Sequence, residues 1–276
     1  MRLITLLFAA IWLTACHHSS HHQRVANIAK LIDSEQWTPL LFKVSGIPLR
    51  AYYPQPLQPT TRLFIYIEGD GKAWKSRRLP SDNLTPDNPL GLKLALAHPD
   101  DNVVYLGRPC QIAFHSPTCD PSLWLEGRFS AKVVHLSNQA IDSLKQHFQA
   151  KELVLVGYSG GGAVAALVAA TRDDIAGLIS VAGNLDHTTW TQHHGVTALH
   201  HSLNPIDYAT KLNAIKQFHF YGNNDTIVPP SIAQAFQTHF STPIIYPIPS
   251  NDHTCCWEKQ WPALIHQTHL LLTIDK

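Results

Sequence analysis

Leu153-Val154-Leu155-Val156-Gly157-Tyr158-Ser159-Gly160-Gly161-Gly162-Ala163 is the stretch whose reading decides the fold. Its first four residues are an apolar run of strand length, and Gly162 to Thr171 continues as an Ala-rich segment with Ala163, Leu167 and Ala170 on one helical face. A buried strand passing straight into a buried helix is therefore expected. The junction has the form G-x-S-x-G. So tight a turn strains the backbone at its central residue and brings strand and helix nearly into contact, which is why Gly157 and Gly161 flank it. Ser159 is thereby lifted above the strand end, at the positive end of a helix. A phosphate-binding loop is the other Gly-rich strand–helix connection, but neither G-x-G-x-x-G nor G-K-S/T is present.

Outward from this point the chain alternates. Strands are predicted at Arg62 to Ile67, Val103 to Leu106, Ile175 to Val181, Gln217 to Tyr221 and Ile244 to Ile248. Helices fit Val133 to Phe148, Pro230 to Phe240 and Trp261 to Leu272, and Leu40 to Val44 with Leu49 to Tyr53 fits an antiparallel edge hairpin. Strand–helix alternation implies an α/β class with a doubly wound, mostly parallel sheet covered on both faces. The 276 residues are enough for one large domain, placed here at residues 37–276.

The turn at Ser159 and two later loops resemble the α/β-hydrolase fold, and within it bacterial exported hydrolases of the esterase and lipase type. The family's catalytic order is serine, acid, histidine. Gln217 to Tyr221 runs into Gly222-Asn223-Asn224-Asp225-Thr226-Ile227-Val228-Pro229, which matches the family's acid loop. Ile244 to Ile248 runs into Pro249-Ser250-Asn251-Asp252-His253, ahead of a C-terminal helix. The resemblance thus implies a triad of Ser159, Asp225 and His253, with Asp186 after the preceding strand as the competing acid. A serine hydroxyl needs an imidazole to take its proton and a carboxylate to orient that imidazole. The resemblance also implies an oxyanion hole made by the Gly160 N–H and by the loop Glu68-Gly69-Asp70-Gly71-Lys72, through Asp70 or Gly71. The expected reaction is hydrolysis of an ester or related acyl bond through an acyl-enzyme, without cofactor, on a small-molecule or lipid acyl substrate. A serine peptidase, an acyltransferase and a catalytically inactive binding lipoprotein are the alternatives. Arg108 fits a salt-bridged structural role better than an anion site. The loops bearing Trp74, Trp124 and Trp190 are equally suited to lining an acyl pocket or to packing, and residues 183–204 are expected to form a cap.

The N-terminus carries a separate expectation. Met1-Arg2 precedes the 13-residue apolar run Leu3 to Ala15, too short to span a bilayer but suited to a signal-peptide core, here residues 1–15. The run closes on Leu13-Thr14-Ala15-Cys16, which resembles the bacterial lipobox, so Cys16 is expected to be acylated, palmitate among its chains. His17 follows in place of Asp, which by resemblance to Gram-negative lipoproteins points to the outer membrane, facing the periplasm. Residues 16–36, His-rich and polar, are expected to be a flexible tether from the membrane to the domain. In an oxidising compartment Cys110 and Cys119, which bracket a Pro-containing loop, are the natural disulfide pair, while Cys255 and Cys256 are left unassigned.

Composition excludes several classes. Charged residues make up 15% of the chain and the formal net charge is +1, with no basic cluster to meet nucleic acid. The Cys and His spacings match no zinc pattern, so no metal is expected. A monomer is expected.

Overall fold

A computed structural model describes residues 20–56, 59–76, 78–100, 102–112 and 116–273. The signal segment and Cys16 lie outside these residues. The described residues open with helix α1 (His21–Ser34), then the hairpin β1 (Trp37–Val44) and β2 (Ile47–Pro54), followed by β3 (Arg62–Ile67). A small hairpin, β4 (Trp74–Ser76) with β5 (Leu79–Pro80), precedes α2 (Leu90–Leu96), β6 (Val103–Leu106), α3 (Ala131–His147) and β7 (Glu152–Tyr158). Then come α4 (Gly160–Ala169), β8 (Ile175–Val181), α5 (His187–His194), α6 (Ala209–Leu212), β9 (Gln217–Gly222), α7 (Pro230–Gln237), β10 (Ile245–Ile248) and α8 (Trp257–Thr273).

Eight strands form one sheet in the order β1-β2-β6-β3-β7-β8-β9-β10. The pairings β1–β2 and β2–β6 are antiparallel and all others parallel. Side chains alternate across the sheet with period two. Leu63, Ile65 and Ile67 of β3, with Leu153 and Leu155 of β7, pack into one core beside α3, α4 and α7. Phe64 and Tyr66, with Val154 and Val156, face the opposite core beside α1, α2 and α8. Both faces are covered, which explains why these strands read as continuous apolar runs.

Residues 21–34 depart from the expected tether. They form α1, capped by the Ser20 hydroxyl accepting from the Gln23 N–H at 3.2 Å. Ile28 and Ile32 are buried four residues apart on one face, and Arg24 joins them with its guanidinium on the Asn83 carbonyl. The folded unit therefore includes residues 21–34, and the His-rich composition hid an amphipathic helix. The Cys110–Cys119 bridge is present, closing the loop after β6, and the Cys255 and Cys256 sulfurs are joined, beginning two residues after His253. No helix among the described residues is long and apolar enough to cross a membrane.

Candidate active site

The carboxyl ends of β3, β7, β8 and β9 open onto a cleft of about 420 Å³ lined by Ser159, His253, Asn184, Trp74, Trp190 and the 68–72 loop, among others. Ser159 sits at the β7–α4 junction with φ +53° and ψ −122°, a conformation outside the ordinary L-residue regions. A Cβ at Gly157 would lie 2.3 Å from the Gly161 carbonyl oxygen, and one at Gly161 would lie 2.2 Å from that of Ile67. Only glycine fits either position, so the two residues permit the sharp turn that exposes the serine.

Three side chains meet in series. Ser159 Oγ lies 3.1 Å from His253 Nε2, and His253 Nδ1 lies 2.8 Å from Asp225 Oδ2. The remaining Asp225 oxygen accepts from the N–H groups of Ile227 and Val228, both at 2.8 Å, which fixes the carboxylate in its own turn. The Asp225 side chain is fully buried, and that of His253 is 14% exposed at the cleft. The Tyr158 ring lies against the imidazole and its hydroxyl donates to the His253 carbonyl at 3.2 Å. Burial holds that hydroxyl far above its ordinary pKa, so it remains neutral. Asp252 anchors the histidine loop by accepting from the N–H groups of Thr254 and Cys255 at 2.7 and 2.6 Å.

Asp186 takes no part in this contact series. It is the N-cap of α5, accepting from the Thr188 and Thr189 N–H groups, the Thr189 hydroxyl and the Asn204 amide. Burial alone would raise its pKa, but those donors hold it below the usual carboxylate value. His266 and His269 are on α8, and His269 pairs with Asp100 at 3.7 Å.

The loop after β3 borders the serine, with Gly69 packed on the Tyr158 ring and the Ser159 Cβ. The Gly69 N–H is taken by Glu68 Oε1 and that of Lys72 by the Leu84 carbonyl, whereas the Asp70 and Gly71 N–H groups between them are not taken by these acceptors. The Gly160 N–H lies in the first turn of α4, where no intrahelical acceptor exists. The Asp70 carboxylate pairs with Arg108 and Arg128, at 3.1 and 3.0 Å, and lies beside the Gly160 backbone. Arg108, 3% exposed, also donates to the Arg128 carbonyl, so it is a structural arginine and not an anion site.

Two supporting residues carried no pattern in the sequence. Buried Glu68 accepts from Gly69, Gly91 and Leu92 N–H groups and from the Tyr105 hydroxyl, tying the loop to the start of α2. Burial raises its pKa against the pull of those four donors. Gln111 donates to the Gly69 carbonyl at 2.9 Å while accepting from the Arg108 N–H. Of the three tryptophans, Trp74 and Trp190 line the cleft, and Trp124 is buried with its N–H on the Ser81 carbonyl. Trp190 donates to the Ile227 carbonyl at 2.7 Å, joining α5 to the acid loop. No group of three or more His, Cys, Asp or Glu side chains suited to a metal is found among the described residues.

A serine on a strand-to-helix turn, with a histidine and a carboxylate from later strand ends of a mostly parallel sheet, defines a serine hydrolase on the α/β-hydrolase fold. Solved structures agree on the fold. Est1E from Butyrivibrio proteoclasticus aligns with a TM-score of 0.62 at 15% identity, over 85% of this chain and 98% of that one. An esterase from Pyrococcus furiosus gives 0.60 at 11%, over 88% and 93%. An alpha-beta serine hydrolase homologue from Coxiella burnetii gives 0.55 at 17%, over 87% and 97%. The serine hydrolase family FSH1 matches residues 107–254, more than half of the sequence, and the chain belongs to that family. No curated protein matches it.

Proposed function

We propose that the protein is an esterase that cleaves an acyl ester through a Ser159–His253–Asp225 triad and an acyl-enzyme, and that it works from the bacterial outer membrane, anchored by acylated Cys16 and facing the periplasm. The observation that carries the catalytic reading is the unbroken contact series of 3.1 and 2.8 Å from Ser159 through His253 to Asp225.

Chemistry follows from the geometry. His253 Nδ1–H donates to Asp225, which leaves Nε2 unprotonated and facing the serine hydroxyl. Ser159 Oγ attacks the ester carbonyl carbon as its proton passes to Nε2, and Asp225 stabilises the imidazolium. Negative charge on the carbonyl oxygen is met by the Gly160 N–H and by the N–H of Asp70 or Gly71, each worth about 3–4 kcal/mol in the transition state. Collapse of the tetrahedral intermediate breaks the ester C–O bond, and His253 returns the proton to the departing alcohol. A water molecule, deprotonated by His253, then attacks the acyl-serine and releases the acid. Est1E has been solved with ferulic acid bound, a carboxylic acid of the kind this sequence of steps would release.

The test is Ser159→Ala assayed on a p-nitrophenyl ester, with circular dichroism as the control for folding. Turnover is expected to fall below about one part in a thousand, the level that binding and an oxyanion hole sustain alone. Substantially greater residual turnover in a folded variant refutes Ser159 as nucleophile.

A further inference from the structure

A second and larger hollow, about 930 Å³, adjoins the cleft and shares Trp74, Trp190 and Ile227 with it. Beyond those three its apolar wall is Leu125, Val196 and Leu199, contributed by the segment before α3 and by the chain following α5. Trp74, Val196 and Ile227 are 42%, 48% and 50% exposed, and Leu79 of the adjoining hairpin is 55% exposed. Three large exposed apolar side chains thus line one opening, with Leu79 on the hairpin that bears Trp74. An apolar patch of this kind beside a polar site marks a place where an apolar ligand is removed from water.

Charge narrows the occupant. Among the described residues Arg128 is the one cation in the hollow's lining, and its guanidinium is already committed to Asp70 at 3.0 Å and to the Leu125 carbonyl at 2.6 Å. Glu126 is exposed and faces His201 at 3.7 Å. Among the described lining residues no spare positive charge is offered to an anion, and with its apolar wall the hollow fits a neutral, apolar occupant. Position narrows it further. His253 lines the cleft, but the larger hollow takes none of its lining from the histidine loop. The alcohol must leave on the side of His253 Nε2, which supplies its proton, and the acyl group extends the other way.

We infer that this hollow is the acyl subsite, and that the substrate class is esters of aliphatic acids of medium or greater chain length. The inference rests on the Ser159 esterase reading, and its failure is distinguishable from the failure of that reading. Two ester series separate the possibilities: p-nitrophenyl acetate, butyrate, octanoate and decanoate, and acetates of alcohols of matching length. In the acyl series kcat/KM should rise about three- to fourfold per methylene until the hollow fills, the gain that burial of a methylene provides. The alcohol series should show no comparable rise. Val196→Asp, which places a charge on the wall, and Ala198→Trp, which occupies the space, should each lower the octanoate-to-acetate ratio of kcat/KM about tenfold or more. A flat acyl profile in a protein that hydrolyses the acetate overturns the subsite and leaves the esterase reading intact. So does a rise confined to the alcohol series, or an unchanged ratio in both variants. Failure to hydrolyse any of these esters, with Ser159 unreactive toward a fluorophosphonate, overturns the esterase reading itself and the subsite with it.

Discussion

Replacing Asp225 with Asn leaves almost every atom of the acid loop in place and reverses one hydrogen bond. The retained amide oxygen can still accept from the Ile227 and Val228 N–H groups, which now bind Asp225 Oδ1 at 2.8 Å. The other position, 2.8 Å from His253 Nδ1, then carries an NH₂ group that donates and cannot accept. His253 must present a bare Nδ1 to it and place its proton on Nε2, where it meets Ser159 Oγ at 3.1 Å. The imidazole can no longer take the serine proton, and no buried carboxylate remains to stabilise an imidazolium. The expected loss in kcat is about ten-thousand-fold, or about 5.5 kcal/mol of transition-state stabilisation. Asp186→Asn is the paired control. Its oxygens serve the α5 cap and its Asn204 partner, so turnover should stay near that of the unaltered protein while stability falls by about 1 kcal/mol. Steady-state kinetics on a p-nitrophenyl ester, with urea unfolding of both variants, decides the matter. A folded Asp225→Asn enzyme of near-normal kcat beside an inactive Asp186→Asn refutes the reasoning and moves the acid to Asp186.

Acid should destabilise the fold through two buried histidines. Burial lowers His98 to about 4 and His219 to about 3, and each neutral ring is held by a hydroxyl, Tyr66 and Ser180 respectively, at 2.8 Å. Unfolded, each takes a proton near pH 6.5, so the stability present above that value is lost as pH falls toward the folded values. From pH 6.5 to pH 5 the two together should cost about 3 kcal/mol, read as a shift in urea midpoint; an unchanged midpoint contradicts it. For the anchor, intact mass of the mature chain should show an acylated Cys16 at the N-terminus, and Cys16→Ser should release or mislocalise the protein. Any other mature N-terminus refutes the lipid anchor.

Where the sequence was legible, one period or one turn dominated locally. The central parallel strands are buried on both faces and so appear as uninterrupted apolar runs, and β3, β6 and β8 fall at the expected residues. The serine turn was legible because steric contact at Gly157 and Gly161 leaves no other residue possible. Helix α1 was not legible, since its buried face is two isoleucines and an arginine stem amid histidines. Helix α2 was hidden for another reason: Leu90–Leu96 is apolar nearly all round, so no amphipathic stripe marks it. Glu68 and Gln111 hold the 69–71 loop through contacts distant in sequence, Glu68 to residues 91, 92 and 105 and Gln111 to Gly69, that no local pattern encodes. Asp70 was legible as part of a Gly-rich loop, but its pairing with Arg108 and Arg128 depends on segments 38 and 58 residues away.

The central claim is that Ser159 is a nucleophile activated in place, and covalent labelling tests it most directly. The protein is treated with a fluorophosphonate, digested, and the modified peptide is sequenced by mass spectrometry. One phosphonyl adduct on Ser159, formed by the unaltered protein and abolished or greatly slowed in Asp225→Asn, is the predicted result. An adduct confined to another residue, or a folded protein that acquires none, contradicts the account.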